Sequence, residues 1–191
     1  MPDTLPQSVA SRGTAAAAVS LRPVAAGDLA AIAGIYGHHV RPGTASFETD
    51  VPDEAEMRRR CQALTGQGYP YLVAEGEGGV LGYAYVSAYR PRAAYRDTVE
   101  NSIYLRADCT GRGIGSRLLG GLIAACERLR YRQMIAVIGG QTNLASIRLH
   151  ERHGFEHVGV LRAVGYKHGL WLDTVLLQRS LGAGATAPPA A

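Results

Sequence analysis

The sequence predicts a single α/β (α+β) domain with a central mixed sheet flanked by helices. Three observations lead there. Short runs rich in Val, Ile, Leu and Tyr are bounded by Gly, Pro and polar turns, as strands are. Separate stretches place apolar residues at helical spacing. The two kinds of segment follow the order β-α-α-β-β-β-α-β-α-β-β, which suits one sheet with helices on its faces.

Each element has a local reason. Residues 19–24 read as a short strand. Gly27-Asp28 then opens a helix with Leu29, Ile32, Ile35 and Tyr36 on its apolar face. Pro42-Gly43 breaks it, and residues 44–51 are irregular. Pro52-Asp53-Glu54 starts a second helix, with proline and acids where a helix N-terminus favours them. Residues 71–74 and 80–87 form a hairpin around a turn at Gly76 to Gly79. A polar, basic loop over 89–97 leads to a strand at 98–105. A glycine-rich turn follows, then a helix over about 113–129 with Ile114, Leu118, Leu119, Leu122, Ile123 and Cys126 at helical spacing. Residues 134–138 read as a strand, 143–152 as a short helix, 155–161 as a strand and 172–178 as the last strand.

Bulk composition sets the outer limits. The chain has 191 residues, 47% of them apolar, which is enough for one domain with a real core. The folded region is expected over 19–181. Residues 1–18, rich in Ala, Ser, Thr and Pro, and residues 182–191 read as flexible tails. A net charge of +4 suits an anionic ligand and is too small to argue for nucleic acid. The densest basic run, Arg58-Arg59-Arg60, reads as a solvated helix face. The three cysteines, Cys61, Cys109 and Cys126, have neither disulfide nor zinc spacing, so no metal is expected and a cytoplasmic location is. No apolar run of membrane-spanning length occurs, and the N-terminus lacks the pattern of a secretory signal.

The chemistry concentrates in residues 99–119, where a strand runs into alternating glycines (Gly111, Gly113, Gly115) and a helix begins at once. Glycine lets backbone approach a ligand closely. The helix N-terminus adds free N–H groups and partial positive charge, so the turn can cradle a pyrophosphate. On the glycine pattern alone, a tight turn that serves packing is an equal reading. A P-loop needs Gly-Lys-Ser or Gly-Lys-Thr, and neither occurs. A dinucleotide loop needs GxGxxG with a later acid for the ribose, yet no acid lies between Glu127 and Glu151.

The loop resembles the CoA-binding motif of the GNAT superfamily of N-acetyltransferases, Gln/Arg-x-x-Gly-x-Gly/Ala. Gly113 and Gly115 match, and Thr110 stands where Gln or Arg is usual. The resemblance extends from about Leu21 to Arg179, to the branch that acetylates phosphinothricin and methionine sulfoximine. It is carried by residues 71–75, 98–100 and 136–139, by Asn143, Ser146 and residues 148–151, and most tellingly by residues 161–169 with Trp171 and Asp173 after them. It implies a mostly antiparallel sheet splayed at the CoA site, acetyl-CoA as co-substrate and a homodimer.

Residue roles follow from the same resemblance. Glu100 is the implied general base, because an amine must lose a proton before it attacks a thioester; without the resemblance, a strand glutamate facing solvent or a cation is the favoured reading. Strand alternation puts Glu100, Ser102 and Tyr104 on one face. Ile103, Tyr104 and Leu105 would pair with the pantetheine through their backbone. Gly111, Arg112, Gly113, Ile114, Gly115 and Ser116 would hold the pyrophosphate. Asn143 would touch the cofactor, and it is also a natural helix cap. Phe47, Arg90, Arg92 and Tyr95 are the implied substrate contacts, since arginine suits a carboxylate or phosphinate; a solvated loop is the plain alternative for the arginines. His150 reads as a packed structural histidine. Other small amines, or a CoA-binding sensor without catalysis, remain as alternative functions.

Overall fold

A computed structural model describes residues 19–189. The implied N-terminal tail, 1–18, lies outside the described residues. Seven strands form one sheet: β1 (Ser20–Pro23), β2 (Tyr71–Gly76), β3 (Gly79–Ala88), β4 (Thr98–Leu105), β5 (Gln133–Gly139), β6 (Glu156–Lys167) and β7 (Leu170–Ser180). The helices are α1 (Leu29–Val40), α2 (Glu54–Gly66), α3 (Ile114–Arg128) and α4 (Leu144–Arg152). The order across the sheet is β1-β2-β3-β4-β5-β7-β6. Every pair is antiparallel except β4 with β5, so the sheet is mixed and mostly antiparallel, as the sequence implies.

The sheet separates two cores. On one face Leu118, Leu119 and Leu122 of α3 pack on Val86, Val99, Met134 and Leu177. On the other, Leu29, Ile32 and Ile35 of α1 with Met57 and Cys61 of α2 cover Tyr71, Val73 and Tyr83. The period of two along β4 sends alternate side chains into these two layers: Val99 joins the first, and Tyr104 packs against the second. Asp53 caps α2 by accepting from the Glu56 N–H at 2.8 Å, a local cap of the ordinary kind. At the far edge Arg22 donates to Asp28 through both terminal guanidinium nitrogens and to Glu75 through Nε and Nη2, tying β1 to β2.

Two segments differ from the sequence reading. The strand expected over 155–161 runs on to Lys167. Its pairing with β7 is irregular between Leu161 and Gly165. There Ala163 takes a φ of 51°, and its N–H donates to the Asp173 carboxylate at 2.9 Å. This bulge interrupts the alternation from which a strand is read. Beyond β7, in the stretch whose composition suggests a tail, residues 182–185 form turns and the chain bends again at 186–187. The Gly184 N–H donates to Leu181, and Arg132 donates to the carbonyls of Ala187 and Pro188. Gly182 and Gly184 have positive φ, which glycine adopts without steric cost.

Candidate active site

The strands β4 and β5 part company in mid-sheet. Their parallel register runs Thr98↔Gln133, Val99↔Met134, Glu100↔Ile135 and Asn101↔Ala136, and ends there. Beyond it β4 stays paired with β3 as far as Leu105, and β5 stays paired with β7 as far as Gly139. A wedge opens between residues 102–105 and 137–139, edged by backbone that has no strand partner across the gap. Unpaired backbone polar groups need partners, so the wedge is suited to a ligand that carries amides.

Side chains hold the apex. Asn101 is buried, and its Nδ2 donates to the Ile135 carbonyl at 3.0 Å, bridging the two strands where they separate. Oδ1 of Asn101 lies 3.0 Å from Nε2 of His150 and the Ser146 carbonyl 2.8 Å from its Nδ1, two acceptors of which a neutral ring donates to one. His150 is buried and meets the Phe155 ring edge-on at 4.9 Å. Burial lowers its pKa, which favours the neutral ring. It is packed, as its sequence context suggests, and it also lines the wedge. On the other arm, Nε2 of His39 donates to the Leu105 carbonyl at 2.8 Å.

The glycine loop closes the open end. Gly111 and Gly113 have φ of 73° and 76°, the left-handed region that strains other residues. Gly113 is the N-cap of α3, and no side chain caps that helix. Arg117 is the first residue of this turn whose N–H bonds back, to the Gly113 carbonyl at 3.1 Å. The N–H groups of Ile114, Gly115 and Ser116 therefore carry the unpaired positive end of the helix. Gly115 packs beside Leu149 and Leu105, where even a Cβ would make only ordinary contact. Wedge and loop together enclose a cavity of about 550 Å³, lined by residues 101–105, Thr110, Gly111, residues 113–116 and Asn143 among others. Arg112 lies outside that lining and is exposed. Asn143 does what its cap signal predicts, accepting from the Ser146 N–H at 3.3 Å, and it also faces the cavity.

Glu100 sits one residue before the register ends, half-buried, on the α1–α2 side of the sheet. Burial raises its pKa, because a charged carboxylate is poorly solvated there. Phe47 is placed against β5 and β6 and, like Glu100, is not part of the cavity lining. A Cβ on Gly139 would lie 3.0 Å from the Phe47 ring, and a Cβ on Gly165 would collide with it. Arg90, Arg92 and Tyr95 do not line the cavity. They are exposed in the loop that feeds β4, where Arg90 stacks on Tyr89 at 5.1 Å and Tyr95 meets the same ring at 5.8 Å. Sequence reasoning missed Asn101 and His39 as cavity residues. Both act through contacts with chain remote in sequence, which leave no local signal.

These features fit acetyl-CoA: an amide-accepting wedge, an anion-accepting helix end and room for a pantetheine arm. The acetyltransferase (GNAT) domain family matches residues 21–176 of the sequence. The chain belongs to the GNAT acetyltransferase family. Phosphinothricin N-acetyltransferase of Alcaligenes faecalis is 54% identical over 172 residues, covering 90% of this chain and 87% of the relative. The L-methionine sulfoximine/L-methionine sulfone acetyltransferase of Pseudomonas paraeruginosa is 40% identical over 170 residues, covering 88% of this chain and 98% of its own. The crystal structure of a GNAT phosphinothricin acetyltransferase from Sinorhizobium meliloti, in complex with acetyl-CoA, superposes with a TM-score of 0.87 at 49% identity, covering 90% and 93% of the two chains. This GNAT acetyltransferase is accordingly an acyltransferase whose acyl donor is acetyl-CoA. No helix among the described residues is long and apolar enough to cross a membrane, and no metal-binding group of His, Cys, Asp or Glu is found among them.

The positive φ of Gly113 and the space around it generate a prediction. Gly113→Val should raise the KM for acetyl-CoA at least about 10-fold, because β-branched side chains resist this conformation and the new methyls would cover the helix N–H groups. Steady-state kinetics at saturating amine checks it; an unchanged KM contradicts the loop assignment.

Proposed function

We propose that the protein transfers the acetyl group of acetyl-CoA to the primary amine of phosphinothricin or a close amino-acid analogue such as methionine sulfoximine. The observation that carries this reading is the 54% identity, over 90% of the chain, with a phosphinothricin N-acetyltransferase. The relative at 40% identity is named for methionine sulfoximine and methionine sulfone, which share the α-amino acid part and a tetrahedral polar head. Acetylation blocks the amine of such a compound, so the same reaction would confer resistance to phosphinothricin used as a herbicide. A cytoplasmic location would suit the acetyl-CoA supply and the three free, buried cysteines.

In this reading the N–H groups of residues 111–116 hold the pyrophosphate, with Arg112 adding charge at the rim. The backbone of Ile103, Tyr104 and Leu105 pairs with pantetheine amides, and Asn143 contacts the cofactor. Glu100 takes a proton from the substrate ammonium, directly or through water. The free amine attacks the thioester carbonyl, the C–N bond forms and the C–S bond breaks. As the amide forms the nitrogen gives up its second proton, and sulfur leaves as thiolate and takes up one proton to become CoA thiol. Burial supports Glu100 in this role, since a raised pKa makes a carboxylate a stronger base. Phe47, Arg90, Arg92 and Tyr95 recognise the amino acid, with the arginines on its anionic groups. For the arginines and Tyr95, support comes from their place in the loop that enters β4 just before Glu100.

A homodimer is part of this proposal. β6 is a sheet edge exposed along nearly its whole length. It presents Val158, Val160, Val164 and Tyr166, and Trp171 of β7 is 68% exposed. Tyr166 and Trp171 are a cross-strand pair with rings 5.1 Å apart. A long apolar edge of this kind invites a partner, and a second copy related by a twofold axis covers it self-consistently.

Outcomes are expected for the base, for the substrate and for the dimer. Glu100→Gln should keep acetyl-CoA binding and lose on the order of 100-fold in kcat. Wild-type kcat/KM should fall as pH drops through the raised Glu100 pKa, since only the ionised form accepts a proton. That acid limb should lie above the ordinary glutamate range and vanish in the variant; a wild-type profile in Glu100→Gln would overturn the assignment. Thiol release from acetyl-CoA should saturate with phosphinothricin and methionine sulfoximine but not with a polyamine or an aminoglycoside, and Arg92→Ala should raise the amine KM far more than the acetyl-CoA KM. Turnover only with the last two amines would refute the substrate class. Finally, Trp171→Arg should convert a dimer to monomer in multi-angle light scattering; a wild-type monomer at micromolar concentration would remove the dimer.

A further inference from the structure

Lys167 ends β6 and is only 3% exposed. It faces Leu170 across the turn His168-Gly169, whose residues have φ of 52° and 77°, as a tight two-residue hairpin turn of the primed type demands. From there its Nζ donates to three backbone carbonyls between α1 and α2: Val40 at 2.8 Å, Gly43 at 2.8 Å and Ser46 at 2.7 Å. An ammonium has three donors, and all three are spent on this one stretch of chain. Val40 is the last residue of α1, where helix carbonyls are partly negative and attract a cation. Removing the ammonium would leave these carbonyls, two of them in buried bonds, without a partner, a state that costs more than the bond itself is worth.

The stretch so gripped is a wall of the site. Ala45 lines the cavity. The Thr44 and Ala45 carbonyls lie so close to Gly139 that a Cβ there would come within 2.7 and 3.0 Å of them. Phe47, one residue beyond the last carbonyl held, lies over Gly139 and Gly165. The downstream end has its own ties: the Tyr36 hydroxyl donates to Glu48 at 2.8 Å, and Arg60 donates to Glu48 at 2.6 Å. Upstream of Phe47, the fixing is done by Lys167 and by the Ser46 hydroxyl, 3.0 Å from Tyr36.

We propose that Lys167 is a positioning residue for the acceptor: its ammonium fixes the backbone of residues 40–46 so that Phe47 closes the amine side of the site, and it touches neither substrate. The proposal rests on the reading that Phe47 faces the amine. The test is the kinetics of Lys167→Met, which keeps the side-chain volume and removes the donors. The amine KM should rise about 10-fold or more, the scale of a lost charge-assisted hydrogen bond, while the KM for acetyl-CoA changes less than about twofold. The double variant Lys167→Met/Phe47→Ala should be no worse for the amine than the worse single variant, because both changes remove one device. Gly165→Ala displaces the Phe47 ring without touching Lys167 and should show the same split, and Lys167→Arg, which keeps the charge and with it the fold should the methionine variant not fold, a smaller one. Equal rises in both KM values, or additive effects in the double variant, would overturn the proposal. Wild-type turnover of the amine in the same assay separates that failure from a failure of the substrate reading.

Discussion

The β4–β5 ladder is parallel and lasts only through Asn101 and Ala136, and the site is organised around its end. Each strand remains anchored on its outer side, β4 to β3 and β5 to β7. The wedge therefore opens inside a sheet that is otherwise continuous. A break of this kind leaves buried backbone groups in search of partners. Asn101 satisfies one at the apex by donating to Ile135, and His39 satisfies another at the tip of β4 by donating to Leu105. The remaining edge is open to the cavity. The sheet thus stores a row of backbone donors and acceptors at a position where a strand-like ligand can complete it.

Around that wedge the two faces of the sheet do different things. The α3 face brings a helix whose N-terminus is left without a side-chain cap, so its N–H groups face the cavity beside the unpaired strand edges. The α1–α2 face brings Glu100, Phe47 and the chain held by Lys167. Because alternate residues of β4 point to opposite faces, adjacent residues serve both sides: Glu100 on one, Asn101 on the other. Donor and acceptor can meet through the gap between strands.

Electrostatics is arranged by burial more than by ion pairs. Desolvation raises the pKa of Glu100 and lowers that of His150, and in both it favours the neutral form. Lys167 is held by carbonyls and a helix end instead of a carboxylate. Some salt bridges, such as Arg58 with Glu54 and Arg59 with Glu56, lie on the exposed face of α2, while Arg22 with Asp28 and Arg60 with Glu48 tie separate segments together. Those on the face of α2 bear on helix propensity and solubility, which agrees with the reading of Arg58 and Arg59 as a solvated face; Arg60 departs from it, half-buried and paired with Glu48 beyond its own helix.

What the sequence determined by itself was everything written in a local code. Turn residues, caps and apolar period gave the order of all eleven regular elements, the whole of β4 and the start of α3, and Asn143 as a cap. The glycines that take positive φ at 111 and 113 were legible as a loop able to approach an anion. Tertiary structure alone decided which residues meet. Asn101 and His150 are 49 residues apart, and Lys167 reaches carbonyls 121 to 127 residues away. It also decided that β6 continues through a bulge to Lys167, and that Arg90, Arg92, Tyr95 and Phe47 stand outside the cavity lining, Phe47 packing over Gly139 and Gly165. The physical reason is the range of the forces involved. Backbone dihedral preferences and capping act within a turn of chain, whereas packing and buried hydrogen bonds depend on which distant segments the folded sheet brings into contact.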